Sequence, residues 1–393
     1  MQKEINLLNY SCKMQKLLDI SKNNESLKFD KSKKVLLLND TYDDFHHGSC
    51  ATSYVIREKL KNKYNELNVY GIEKLRFVKI DIYDVLDFDN KKVLEKFENN
   101  NKELLEFIKN TDIIVVNGEG CISHNNEFTK ILLYIMYISK VFYHKEVHLI
   151  NTSIYLENEV DLTNINASEE LKKILVKVLD VLNSVKVRDY ISFETVKENI
   201  NDNVILAFDN IPLYIKKYYK NVYPIKGNYI LLSGGNNIKN IDFDKYIEFI
   251  DKIKKIYSDC KMIFLISNVK TAKCKDDIEL FNKLKKVFEN EIILYEANTI
   301  DEFISCIDNA KILVSGRFHH TIVALNCKTS FFVFNTNTPK IKSILEMFDQ
   351  EKFLITKYNI DDYIKNIDTK IFGSFDTSDI MIETMNELAE KNY

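Results

Sequence analysis

Ile312-Leu313-Val314-Ser315-Gly316-Arg317-Phe318-His319-His320-Thr321 is the stretch on which the reading of the fold turns. Its apolar run, 312–314, reads as a strand buried on both faces, the habit of parallel sheets. Ser315-Gly316 gives a tight turn, and a helical pattern follows to residue 325. The same stretch ends by presenting cations. Arg317 and His319 fall near a helix N-terminus, where free backbone N–H groups and the helix dipole favour negative charge and a guanidinium adds a bidentate grip on carboxylate or phosphate. The plainer alternative is a buried arginine beside a capping histidine.

Outward from this point the strand-helix alternation repeats, which spells a parallel sheet. Downstream of residue 228 the expected strands are 229–232, 262–266, 292–294, 312–314 and 330–334, with helices 246–258, 277–289, 300–309 and 318–325 between them. Upstream the expected strands are 34–38, 77–81, 113–117, 147–150 and 185–188, with a weaker one at 204–207. The helices there are 49–64, 93–109, 128–141, 169–183 and 191–198. Between 218 and 228 the pattern lapses into Lys, Tyr, Asn and a Pro, which marks a boundary. The fold class expected is α/β, two Rossmann-like parallel-sheet domains facing a cleft: a helical lead over 1–30, domains over 31–220 and 226–360, and a helical tail over 361–393. Thr299 with Glu302 forms a capping-box signal, and Pro339 sits at a plausible first helical position.

Composition narrows the function. A chain of 393 residues with 45% hydrophobic content suits two packed domains. Its 55 basic and 58 acidic residues give a formal charge of −3 without a basic stripe, so nucleic acid is not an expected partner. Seven scattered cysteines (Cys12, Cys50, Cys121, Cys260, Cys274, Cys306, Cys327) without a CxxC pair fit reduced thiols and no structural zinc. Residues 1–6 are polar, and the apolar stretch 131–143 is broken by Ser139 and Lys140. Neither a signal peptide nor a spanning helix is expected, which points to the cytoplasm and leaves peripheral membrane contact open.

In open α/β sheets ligands gather beyond the carboxyl ends of strands, and the unusual polar residues of this chain fall there. Asn39-Asp40-Thr41 follows the first strand, Asn117-Gly118-Glu119-Gly120 the third, Asn151-Thr152-Ser153 the fourth and Arg188-Asp189 the fifth. Gly234-Gly235-Asn236, Ser315 to His319 and Asn335 to Lys340 follow strands of the second series. Polar turns are common everywhere, but that does not explain Arg317, His319 and Lys340 at strand ends of one domain. The turn 39–49 lacks the Rossmann glycine trio, which argues against a dinucleotide. Asn39, Asp40 and His46, with His47 beside it, offer the mixed donors and acceptors that sugar hydroxyls need. Alternatively Asp40 or Ser49 merely caps the next helix. Glu119 between two glycines can accept a hydroxyl proton, or serve as a structural loop carboxylate. His124 and His144 read as surface or satisfied residues. Asp87-Phe88-Asp89 and Asp242-Phe243-Asp244 resemble a metal-binding DxD by letters alone, so no metal is expected.

With these residues in view, the chain resembles the polysaccharide pyruvyl transferase family over roughly 34–348. Val314-Ser315-Gly316-Arg317-Phe318-His319 is similar to that family's strand, small turn and Arg-x-His, and Pro339-Lys340 to its downstream basic element. Val187-Arg188-Asp189 with Ser192, and Asn117-Gly118-Glu119-Gly120, resemble two further segments, while Asn39-Asp40-Thr41 with His46-His47-Gly48 looks like a subgroup variant of the opening turn. The resemblance implies a glycosyltransferase-B-like fold with acceptor on the first domain and donor on the second. It implies transfer of an enolpyruvyl unit from phosphoenolpyruvate onto two hydroxyls of one saccharide or lipid-linked saccharide, with no further cofactor. On that reading Arg188, Arg317 and Lys340 clamp the donor anions, Ser315, Gly316 and Gly234 line the donor side, and Asn39, Asp40, His46, His47 and Asn117 take the acceptor. His319 serves as acid/base with Glu119, and His320 is its rival. A GT-B glycosyltransferase using a nucleotide-activated sugar, such as CMP-activated Kdo or sialic acid, is the competing expectation, and a non-catalytic saccharide-binding module the third.

Overall fold

The structure is a computed structural model that describes residues 2–21, 27, 30–43, 46–122, 125–156, 165–235, 238–267, 275–372 and 379–393. His124, Asn236 and Cys274, all singled out from the sequence, lie outside the described residues, as do residues 44 and 45 of the turn 39–49. The chain divides into two compact units: Met1–Asp44, Thr52–Asn210 and Thr384–Tyr393 form the first, Phe45–Ala51 and Ile211–Glu383 the second.

Each unit is built on a six-stranded, all-parallel sheet. In the first, β1 (Lys34–Asp40), β2 (Glu66–Gly71), β3 (Ile113–Glu119), β4 (Glu146–Thr152), β5 (Ser184–Val187) and β6 (Val204–Leu206) lie in the order β2-β1-β3-β4-β5-β6. In the second, β7 (Tyr229–Gly235), β8 (Lys261–Ile266), β9 (Ile292–Glu296), β10 (Ile312–Gly316), β11 (Phe331–Phe334) and β12 (Leu354–Ile355) lie in the order β12-β11-β10-β7-β8-β9. Strands of this kind must be apolar on both faces because helices cover both sides, and β3 and β10 are buried at every position. The strand order reverses between β1 and β3 in the first unit and between β7 and β10 in the second. These are the topological switch points where α/β sheets open a crevice for ligands.

Local differences from the sequence expectation have physical causes. The strand expected at 77–81 is irregular, with Phe77 81% exposed; the neighbour of β1 is instead β2 over Glu66–Gly71. The helix expected over 93–109 is two, Lys91–Asn100 and Lys102–Lys109. They part at Asn101, whose φ of −127° and ψ of 46° leave the helical region and whose amide bonds Lys79 and Phe97 carbonyls. Asp242 caps the helix Phe243–Ile256, which accounts for its place in the DxD-like letters, and Thr299 caps Ile300–Asp308. The tail is not one body. Helix Ile360–Phe372 packs on Phe243–Ile256 in the second unit, while Thr384–Tyr393 belongs to the first, where the Asn392 amide donates to the Phe208 carbonyl at 2.7 Å. Lys186 of β5 is fully buried, 3.4 Å from the Asn392 carbonyl, and burial followed by repulsion from Lys63 and Lys391 pulls its pKa down to about 7. Among the described residues no helix is long and apolar enough to cross a membrane.

Candidate active site

At the first switch point β1 ends on Asn39-Asp40 and β3 on Asn117-Gly118-Glu119. Asn39, Glu119 and Asn151 adopt left-handed backbone, with φ of 56°, 42° and 51°, at the ends of β1, β3 and β4. Non-glycine residues hold that conformation only where their surroundings impose it, and such positions cluster at functional sites. Here a polar ladder imposes it. The Asn39 amide donates to the Asn117 carbonyl at 2.6 Å, the Asn151 amide to Asn117 Oδ1 at 2.9 Å, and the Asn117 amide to Glu119 Oε1 at 3.3 Å. Thr41 Oγ1 donates to the same Glu119 oxygen at 2.6 Å. Buried acceptors remain: Asn39 Oδ1, Asn151 Oδ1 and Thr152 Oγ1 have no hydrogen-bond partner among the described residues.

Asp40 and Arg188, two of the expected ligand contacts, are committed internally. Asp40 accepts from Ser53 Oγ at 2.9 Å and from Arg57 Nε at 3.1 Å and Nη2, and the Arg57 guanidinium lies 4.4 Å from the Tyr42 ring centroid. Arg57 was not among the sequence candidates. Its only sequence signal is its position four residues after Ser53, one helical turn along the face that carries the Asp40 contact. Arg188 is 2% exposed and pairs through Nη1 with fully buried Asp209 at 2.8 Å, while its Nε donates to Ser153 Oγ at 3.0 Å. Asp209 and Ser153 both lie in the first unit, so Nη1 and Nε of this guanidinium are held by that unit's own residues.

At the second switch point the chemistry is cationic. Gly235 of β7 faces Gly316 of β10 so closely that a Cβ on Gly235 would lie 2.4 Å from the Gly316 Cα, and only paired glycines permit that approach. Arg317 then starts the helix Phe318–Cys327. Its Nη2 donates to both Asp277 oxygens at 2.6 Å, and Gly234 lies against the same carboxylate. Nε and Nη1 of Arg317 have no hydrogen-bond partner among the described residues, so the guanidinium keeps a donor edge after Asp277 has fixed one nitrogen. Lys340 begins the helix Lys340–Met347 with Nζ 5.7 Å from the Phe318 ring centroid.

Four histidines collect here. His320 is fully buried: its Nδ1 lies 3.0 Å from Ser233 Oγ and 3.2 Å from Ser315 Oγ, and its Nε2 3.2 Å from Ser267 Oγ. Burial, then the positive charge of Arg317 and its histidine neighbours, lowers its pKa well below the usual imidazole value. A ring so held ties β7, β8 and β10 together and is closed to ligand. His47 donates through Nε2 to the Ala297 carbonyl at 2.7 Å and stacks on Phe303. Both His46 and His47, expected on the acceptor side, belong to the second unit. His46 meets His319 edge-on with ring centroids 5.4 Å apart. His319 is 8% exposed, and a Cβ at Gly48 would lie 2.4 Å from its ring, so the imidazole occupies the space that Gly48 leaves empty.

A family model described as polysaccharide pyruvyl transferase matches residues 31–338. No curated protein shows significant similarity to the sequence. Among solved structures, the UDP-GlcNAc 2-epimerase of Methanocaldococcus jannaschii is similar at 16% identity, with 87% of this chain and 93% of that chain covered and a TM-score of 0.54. The same enzyme in complex with UDP-GlcNAc and UDP gives a TM-score of 0.51 over the same shares of the two chains, also at 16% identity. Sucrose-phosphate synthase of Thermosynechococcus elongatus gives 0.51 at 11% identity, covering 91% of this chain and 94% of that one. These likenesses establish the fold, a GT-B-like pair of Rossmann-type units.

Proposed function

The chain belongs to the polysaccharide pyruvyl transferase family, and from that premise we propose that this transferase moves an enolpyruvyl unit from phosphoenolpyruvate onto two hydroxyls of one sugar. The product is a pyruvate ketal on a bacterial surface polysaccharide or its lipid-linked precursor, made in the cytoplasm without further cofactor. The observation that carries this reading is the second switch point, where the open edge of Arg317, Lys340 and the start of helix Phe318–Cys327 gather beside the His319 imidazole. Phosphoenolpyruvate is small and densely anionic. Its carboxylate and phosphate demand oriented donors in a partly desolvated pocket, and a guanidinium already fixed by Asp277 costs little to organise. In this reading Arg317 and Lys340 hold the donor against Ser315, Gly316 and Gly234. His319 delivers a proton to the methylene carbon while a sugar hydroxyl adds to the adjacent carbon, and the C–O bond to phosphate then breaks. Arg188 leaves the clamp and supports the first unit from within. Asn39, Asn117 and Glu119 take sugar hydroxyls, for which orphaned buried acceptors at Asn39 and Asn151 are suited; Asp40 positions that turn.

One observation favours a second reading, a glycosyltransferase with a nucleotide-activated donor. A cavity of about 200 Å³ beside Asp277 has apolar walls from Ile238, Ile241, Phe243 and Leu280, a slot suited to a planar base, and the similar epimerase binds UDP-GlcNAc and UDP. Incubating the pure protein with labelled phosphoenolpyruvate, and separately with a panel of nucleotide sugars, separates the two. Protein-dependent binding or turnover of phosphoenolpyruvate alone is the expected result, and binding of only a nucleotide sugar overturns the pyruvyl assignment.

A further inference from the structure

The His46–His319 contact joins the turn after β1 to the helix after β10, and neither the family match nor the similar structures assign His46 a role. We infer that His46 is the second imidazole of the reacting centre, the base that takes the acceptor hydroxyl proton while His319 acts as the acid; the inference rests on the pyruvyl-transfer reading above. Three observations carry it. The two rings meet edge-on at 5.4 Å between centroids. Gly48, two residues on, has no side chain where His319 needs room, so the start of helix His47–Lys63 is shaped around that ring. Finally, His46 Nδ1 is buried with no hydrogen-bond partner among the described residues, whereas both ring nitrogens of buried His320 have serine hydroxyls. A buried ring nitrogen left without a partner costs free energy unless a ligand or water completes it.

Among the described residues, the charged and titratable groups that act most on His46 are His319, Arg317, His320 and His47, all cationic or able to become so. Burial first and these neighbours second lower its pKa well below the usual imidazole value. It therefore stays neutral at physiological pH, the form a base requires. The protons balance: two hydroxyls lose one each, one proton ends on the methylene carbon as methyl, and the other leaves with phosphate. His46 accepts from the attacking hydroxyl and returns that proton to the departing phosphate, while the second hydroxyl restores His319.

The test uses the full-length protein with phosphoenolpyruvate and a sugar diol. His46→Gln should lower kcat about 100-fold with the KM for phosphoenolpyruvate within about twofold. His46→Gly should be partly rescued by added imidazole. A kcat within about threefold of the wild type in a protein with unchanged melting temperature overturns the inference, as does a change confined to acceptor KM. A second measurement stands apart from turnover. Histidine titrations followed by nitrogen NMR should show His46 uncharged through neutral pH, and His319→Gln should move its titration upward; an unmoved His46 titration overturns the pairing. If phosphoenolpyruvate is neither bound nor turned over while this coupling is present, the donor assignment fails and the imidazole pair stands.

Discussion

The two switch points occupy the same place in their sheets and hold opposite chemistry. Between β1 and β3 the chain presents amides and a carboxylate arranged as a ladder, Asn151 to Asn117 to Glu119, and two nearby guanidiniums, Arg57 and Arg188, are bound to carboxylates. Between β7 and β10 it presents a guanidinium with an open edge, a lysine and a histidine cluster. The strand-end geometry is shared, whereas the turn residues differ in the chemistry they present. On the proposed reading the first unit supplies acceptors for hydroxyls and the second donors for anions.

The sharpest test of this contrast is the pair of arginines. Arg188→Ala leaves Asp209 buried and uncompensated and is expected to destabilise the protein by about 3–5 kcal/mol in urea unfolding. The donor affinity of the molecules that remain folded should be unchanged. Arg317→Ala should do the reverse: phosphoenolpyruvate affinity measured calorimetrically falls by about 100-fold, roughly 3 kcal/mol, with a smaller stability loss because its ion pair is more open to solvent. If the two variants exchange phenotypes, the division of labour is wrong. Gly48→Ala comes next, since the new methyl group collides with the His319 ring. Turnover should fall about tenfold or more while circular dichroism and donor affinity hold. The smallest effect concerns Lys186. Its folded pKa lies below the unfolded value, so between about pH 7 and pH 10 the unfolded chain holds a proton that the folded one has released. Stability should therefore rise with pH, by at most about 1.4 kcal/mol per unit. Lys186→Met should flatten that slope and raise stability at neutral pH, and a slope that persists in the variant assigns it elsewhere.

Much of this was legible in the chain because strand-helix alternation and buried apolar runs are local signals. The run 312–314 and its turn needed no tertiary information, and the strand at 113–117 emerged as the core of β3. What escaped was non-local. Phe77 looked like the start of a strand because it is apolar, yet it is exposed, and the half-polar Glu66–Gly71 pairs with β1 because a register partner was available there. The Arg188 ion pair was silent in sequence because its partner Asp209 lies 21 residues away. His46 was assigned to the first domain by chain position, but the turn carrying it crosses into the second unit. Periodicity cannot reveal that crossing.

The left-handed residues at the ends of β1, β3 and β4 also limit how this protein can be re-engineered. Positions 39, 119 and 151 look like natural entry points for altering the proposed acceptor side, yet their backbone admits glycine, asparagine or aspartate far more readily than valine, isoleucine or threonine. A combinatorial library that randomises them freely will fill with misfolded clones.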